Sequence, residues 1–94
     1  MKARMTFPAH AGRDHEVRAL LGVLANLVAE MGAEAEIHEQ EPGVPELVMF
    51  FASRDAWEVF EDAWLTDRRS NAILALLSDG RVRDEAARFE LSAA

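Results

Sequence analysis

Apolar and polar residues alternate along this chain with two different periods, and the switches between them mark out its elements. Ala3, Met5 and Phe7 lie opposite Arg4 and Thr6, the period of a strand with one apolar face. Pro8 and the Ala11-Gly12 pair close that strand. Val17, Leu20, Leu21, Leu24, Leu27, Val28 and Met31 then recur at helical spacing as one continuous stripe. Asp14 is expected to cap this helix and Gly32 to end it in a left-handed conformation. From Ala33 to Gln40 the strand period returns, with Ala35 and Ile37 opposite Glu36, His38 and Gln40. After a turn at Glu41-Pro42-Gly43-Val44-Pro45, Leu47-Val48-Met49-Phe50-Phe51 runs without alternation, which predicts a strand covered on both faces. Ser53 is expected to cap a second helix, with Asp55 in its first turn and Ala56, Trp57, Phe60, Ala63 and Trp64 as its buried stripe. A break at Thr66-Asp67 starts a shorter helix through Ile73, Leu74, Leu76 and Leu77, ended by Asp79-Gly80. Ala87, Phe89 and Leu91 form the last strand.

This β-α-β-β-α-(α)-β order is the split βαβ of an α+β, ferredoxin-like fold, a four-stranded antiparallel sheet with helices on one face. Residues 1–92 are expected to form a single domain, with 93–94 as a frayed tail. A chain of 94 residues has little capacity to cover an apolar strand twice over. A homodimer joined through the sheets would cover it, and twofold pairs are the commonest oligomers.

Charge and composition remove whole classes of function. Seventeen acidic against ten basic residues give a net charge of −7. That opposes binding to nucleic acid or to an anionic membrane. The absence of cysteine excludes disulfides, thiolate metal sites and a cysteine nucleophile. No apolar run approaches a membrane span, and the first residues lack a signal-peptide core, so a cytoplasmic protein is expected. The sequence has no His-x-x-x-His pair, phosphate loop or dinucleotide fingerprint. No metal and no cofactor are therefore expected.

A few residues carry candidate chemistry. Trp57 and Trp64 stand two helical turns apart and could form an aromatic wall. His38 lies on a strand between Glu36 and Gln40, where a neighbouring carboxylate makes it a candidate general base. His10 and His15 flank the Gly12 turn and read as solvated loop residues. Glu34, Glu36, Glu39, Glu41 and Glu46 read as the solvated charge of an edge strand.

Three segments together resemble the antibiotic biosynthesis monooxygenase family of the dimeric α+β barrel superfamily. They are the strand leading through Ala11-Gly12-Arg13 into a long helix, the run Phe50-Phe51-Ala52-Ser53-Arg54-Asp55-Ala56, and the run Phe60-Glu61-Asp62-Ala63-Trp64-Leu65-Thr66-Asp67. The resemblance implies a homodimeric barrel with a pocket between sheet and helices in each protomer. It also implies cofactor-independent oxidation of a small polyketide- or hydroquinone-type aromatic by dioxygen. By the same resemblance Trp64 lines the pocket, and Phe60 stands where the family usually has an asparagine; from the residues themselves, Trp57 and Phe60 join Trp64 as substrate-binding candidates and His38 is the catalytic candidate. Haem degradation, the other chemistry of the fold, needs an axial histidine where this chain has Leu74. A non-catalytic dimeric protein that binds a small ligand is the alternative. The two readings separate on whether the pocket lining is purely apolar or carries an inward histidine, arginine or asparagine.

Overall fold

The elements follow one another in the order the periodicity predicts: β1 (Lys2–Thr6), α1 (Asp14–Glu30), β2 (Glu34–Glu41), β3 (Val44–Phe50), α2 (Arg54–Thr66), α3 (Arg68–Leu77) and β4 (Arg88–Ser92). The structure is a computed structural model that describes residues 1–79 and 88–93. Gly80, expected to end the third helix, and Ala87, expected in the last strand, lie outside the described residues. The strands line up as β2-β3-β1-β4, with each neighbouring pair antiparallel. This is the ferredoxin-like arrangement, with the helices on one face.

Local chemistry explains where the elements stop. Asp14 is the first residue of α1 rather than its cap. The capping position is Arg13, which makes no side-chain cap. Asp14 instead receives Arg18 at 2.6 Å, one turn on, and places negative charge at the positive pole of the helix. At the other end Gly32 has φ of 90°, a conformation that side chains disfavour. Its N–H donates to Ala29 O at 3.0 Å, and the Ala33 N–H donates to Val28 O at 3.2 Å. That pair of bonds is a Schellman closure.

The β2–β3 hairpin is tighter than the five-residue turn the sequence suggests, because Glu41 pairs with Val44 across Pro42-Gly43 alone. Proline then glycine at positive φ is the composition of a type II turn. The register shifts between His38 and Glu41, so Glu39 and Gln40 together oppose Pro45. Pro45 turns its backbone towards β1, where its carbonyl accepts from the Phe7 N–H at 3.0 Å, so its missing N–H removes no bond from the bulged β2–β3 pair.

Ser53 caps α2 as expected, its Oγ accepting from the Ala56 N–H at 3.2 Å. Asp67 both ends α2 and caps α3. Its carboxylate accepts from the backbone N–H groups of Arg69 and Ser70 at 2.9 and 3.0 Å. These bonds, Ser70 foremost, hold the Asp67 carboxyl below its ordinary value of 3.8. Ionised Asp67 thus stabilises the fold above that value, and the contribution disappears as the pH falls through the lower folded-state value. Asp67→Ala should lower the urea midpoint at neutral pH, and its deficit against wild type should close on acidification below about 3.8. A deficit independent of pH would contradict this assignment.

Val17, Leu21, Leu24 and Val28 of α1 pack with Ala3, Leu47 and Met49 of the sheet and with Trp57, Phe60, Trp64 and Leu77 from the other helices. Two expected core positions are corrected: Ala63 and Leu76 are exposed, because each lies on its helix beside the stripe that carries the buried Trp64 or Leu77. The two-sided strand is real, but one chain already buries most of it. Leu47 and Met49 face the helices, while Val48 is fully buried on the opposite face. Arg4 and Glu36 flank Val48 in the register, and Val48 is already buried within one chain, so the apolar run by itself requires no second chain.

Candidate functional site

Two regions bring candidate residues together, on different sides of the sheet. The first is a groove of about 850 Å³ between the end of α1, the end of β3 and the outer side of α2. Met31, Phe50, Phe51, Val59, Phe60 and Ala63 supply much of its apolar lining. Its form follows from the sequence. Gly32 turns the chain sharply into β2, so α1 stops short of α2. Ala52, Ala56 and Ala63 put small side chains where larger ones would fill the space.

Aromatic rings form the back of this groove. Phe51 meets Trp57 edge-on at 5.3 Å and Phe60 at 5.1 Å. Trp57 stacks on Phe89 of β4 at 5.5 Å, and Phe60 lies 5.8 Å from Trp64. Edge and tilted contacts at these separations are favourable for rings. Of the three aromatic residues singled out from the sequence, Phe60 reaches the groove wall. Trp57 and Trp64 stand behind it in the core, each only 3% exposed. Trp64 belongs to the same packed cluster as Leu24, Phe60 and Leu77, and its Nε1 has no hydrogen-bond partner among the described residues.

The charged side chains on the groove lining are Glu34 and Asp55. No histidine, arginine or asparagine of the described residues lines it. Sequence reasoning took Glu34 as edge-strand charge and Asp55 as a helix-end charge. The register pairs Glu34 with Phe50, on the same side of β2 as Glu36 and His38, so Asp55 is the carboxylate on the α2 wall.

The second region is the open face of the sheet. His38 sits there, half-buried, with Nε2 at 2.7 Å from Glu36 Oε2 and Nδ1 at 4.0 Å from Glu46 Oε1. Arg4 Nε approaches the same Glu46 oxygen at 3.5 Å. The Glu46 side chain is only 5% exposed. Neither Arg4 Nε nor Glu46 Oε1 has a hydrogen-bond partner among the described residues. Strand alternation puts this cluster on the face away from the helices, because its neighbours Leu47 and Met49 point into the core. The structure therefore does not bring His38 together with Trp57, Phe60 and Trp64. Among the described residues, no group of three or more His, Asp or Glu side chains could hold a metal ion. No described helix is long and apolar enough to cross a membrane.

No protein-family model matches the chain, and no curated protein matches it in sequence. Solved structures do match in shape. A crystal structure of an antibiotic biosynthesis monooxygenase superposes with a TM-score of 0.70, covering 99% of this chain and 96% of that one at 11% identity. The fold is that of an antibiotic biosynthesis monooxygenase. An uncharacterized NIPSNAP domain protein from Burkholderia xenovorans matches with a TM-score of 0.69, covering 100% of this chain and 96% of that one at 14% identity. Sequence identity this low carries the architecture and leaves the chemistry to be argued from the groove.

Proposed function

We propose that the protein binds a small planar aromatic in the groove between β3 and α2, on the fold of a monooxygenase. The supporting observation is the lining, apolar and aromatic apart from two carboxylates at exposed positions. Sites for small apolar ligands are concave, mostly apolar and largely pre-formed. The ligand would lie on Phe60, with Trp57 and Trp64 behind that ring keeping it in place. Ala63→Phe should test this, because residue 63 is exposed and lines the groove while lying outside the core. Calorimetric titration with naphthol should show binding to wild type and at least about tenfold weaker binding to the filled groove, equivalent to about 1.4 kcal/mol. The melting temperature should stay the same. Equal affinity in the two proteins would place the ligand elsewhere.

The shared fold favours a second reading, oxidation of that ligand by dioxygen without a bound cofactor. A ring CH₂ carbon activated by a neighbouring phenol would become C=O, and the second oxygen atom would leave as water. The protein would bind the ring, accept a proton and exclude solvent. Because His38 lies across the sheet, the base for a ligand in the groove would be Asp55 of the α2 wall. Oxygen uptake with an anthrone would support this reading, and its absence alongside tight binding would leave a binding protein.

We also infer a homodimer through the open face. Its strands offer both signs of charge, Arg4 and Arg88 beside Glu36, Glu46 and Glu90. A twofold axis could pair unlike charges from two copies. Light scattering at micromolar concentration should return about twice the chain mass, and a monomer there would refute the dimer.

A further inference from the structure

Resting on the dimer reading, we propose that His38 makes association through the open face pH-dependent, the two copies holding each other more tightly when this side chain carries a proton. The register sets the charges around it in two neighbouring rows. One row runs His38–Glu46–Thr6–Arg88 across β2, β3, β1 and β4, and the next runs Glu36–Val48–Arg4–Glu90. Every strand of the sheet therefore brings charge to this part of the face: Glu36 from β2, Glu46 from β3, Arg4 from β1, Arg88 and Glu90 from β4. Two carboxylates approach the imidazole itself, Glu36 at 2.7 Å from Nε2 and Glu46 at 4.0 Å from Nδ1. Glu41 joins Arg4, Glu46 and Arg88 around a cleft of about 410 Å³ at the hairpin end of the same face.

Neutral His38 leaves the two rows with Arg4 and Arg88 against Glu36, Glu46 and Glu90, a surplus of negative charge to which Glu41 adds. A proton on the ring brings the rows themselves into balance. The difference matters to a twofold pair, because the axis lays the same patch against itself. A patch with surplus negative charge meets its own surplus across the interface, while a balanced patch of mixed sign can set each cation against an anion of the other copy. Association sharpens the contrast. The Glu46 side chain is already withdrawn from water at 5% exposed, whereas His38 and Arg4 keep 36% and 28%. Covering those two side chains lowers the dielectric around them, and an unmatched charge costs more there than at an open surface. Histidine is the side chain that ordinarily changes charge between about pH 5 and 8. Association favoured by protonated His38 must take up protons, so the dimer tightens as the pH falls through that range. His10 and His15 lie off this face, in the β1–α1 connection and at the start of α1.

Sedimentation equilibrium of the full chain at about pH 8 and about pH 6 gives the dimer Kd on either side of the histidine range. Kd should be about tenfold lower at the lower pH, a modest step suited to partly exposed charges. In His38→Gln, which takes up no proton, the two values should agree and match wild type at the higher pH. Glu36→Gln removes one of the surplus carboxylates and should bring Kd at the higher pH down towards the wild-type value at the lower one. Circular dichroism checks that each variant keeps the wild-type fold. A wild-type Kd that is equal or higher at the lower pH would overturn the switch and leave the dimer standing. A pH response kept in His38→Gln would assign it to other groups, His10 and His15 among them, and overturn the role of His38. An unchanged Kd in Glu36→Gln at the higher pH would overturn the charge balance as its cause. A monomer at both pH values would remove the dimer reading and the switch together.

Discussion

Trp64→Ala should cost about 3–5 kcal/mol of folding stability, the range for removing a large buried aromatic. The indole is 3% exposed and packs on Phe60, so truncation leaves a cavity at the junction of the helices. Small domains are stabilised by only about 5–15 kcal/mol in total, so this change should bring the protein near its folding threshold. Trp64→Phe separates two explanations. The indole Nε1 makes no hydrogen bond among the described residues, so the wild-type ring contributes volume and contact rather than a polar interaction. Phenylalanine keeps most of that volume and should lose far less. Urea unfolding of both variants is the measurement. A mild Trp64→Ala, or equal losses in the two, would show that this ring is not packed as described.

Arg4→Met should have the next largest effect. Arg4 is the closest positive charge to Glu46, whose side chain is 5% exposed. Removing one partner of a buried ion pair leaves the other charge uncompensated, at a cost of about 3–5 kcal/mol. Arg4 is itself 28% exposed, so about 3 kcal/mol, the lower end, is expected. His38 stands 4.0 Å from Glu46 and cannot replace the guanidinium unless it is protonated. The informative control is the double variant Arg4→Met/Glu46→Leu. With no charge left to bury, it should recover much of the loss. A double variant as unstable as the single one would show that Arg4 acts through its packing over Val48 rather than through its charge.

Much of the fold was legible in the sequence because it rests on local rules. The α1 stripe, the Gly32 stop, the Ser53 cap and the Thr66-Asp67 break each depend on residues within a turn or two of one another. The errors were also local in kind. Asp14 follows the capping position instead of occupying it, and Val44 and Pro45 extend β3 where a turn was expected. The site was much less legible. Helical spacing put Trp57 and Trp64 on one side of α2, but spacing does not say whether that side faces a groove or the core. The groove instead takes Val59 and Ala63 from the neighbouring side of the helix. Likewise, alternation along β2 set His38 apart from Ile37, yet only the register with Glu46 shows that this side faces away from the helices. Residues that meet from three separate elements leave no periodic trace in the sequence.

The order of the sheet also bears on how the protein is made. β1 is synthesised first, yet one of its edges is paired by β4, the last strand of the fold. Until β4 leaves the ribosome, β1 presents an open row of backbone donors and acceptors. Trp57 meanwhile lacks the Phe89 ring that stacks on it. A nascent chain with an unpaired edge and an uncovered indole is the kind of species that chaperones retain. Final closure waits for the longest loop in the sheet to be brought together, which makes the β1–β4 pairing the natural slow step of folding.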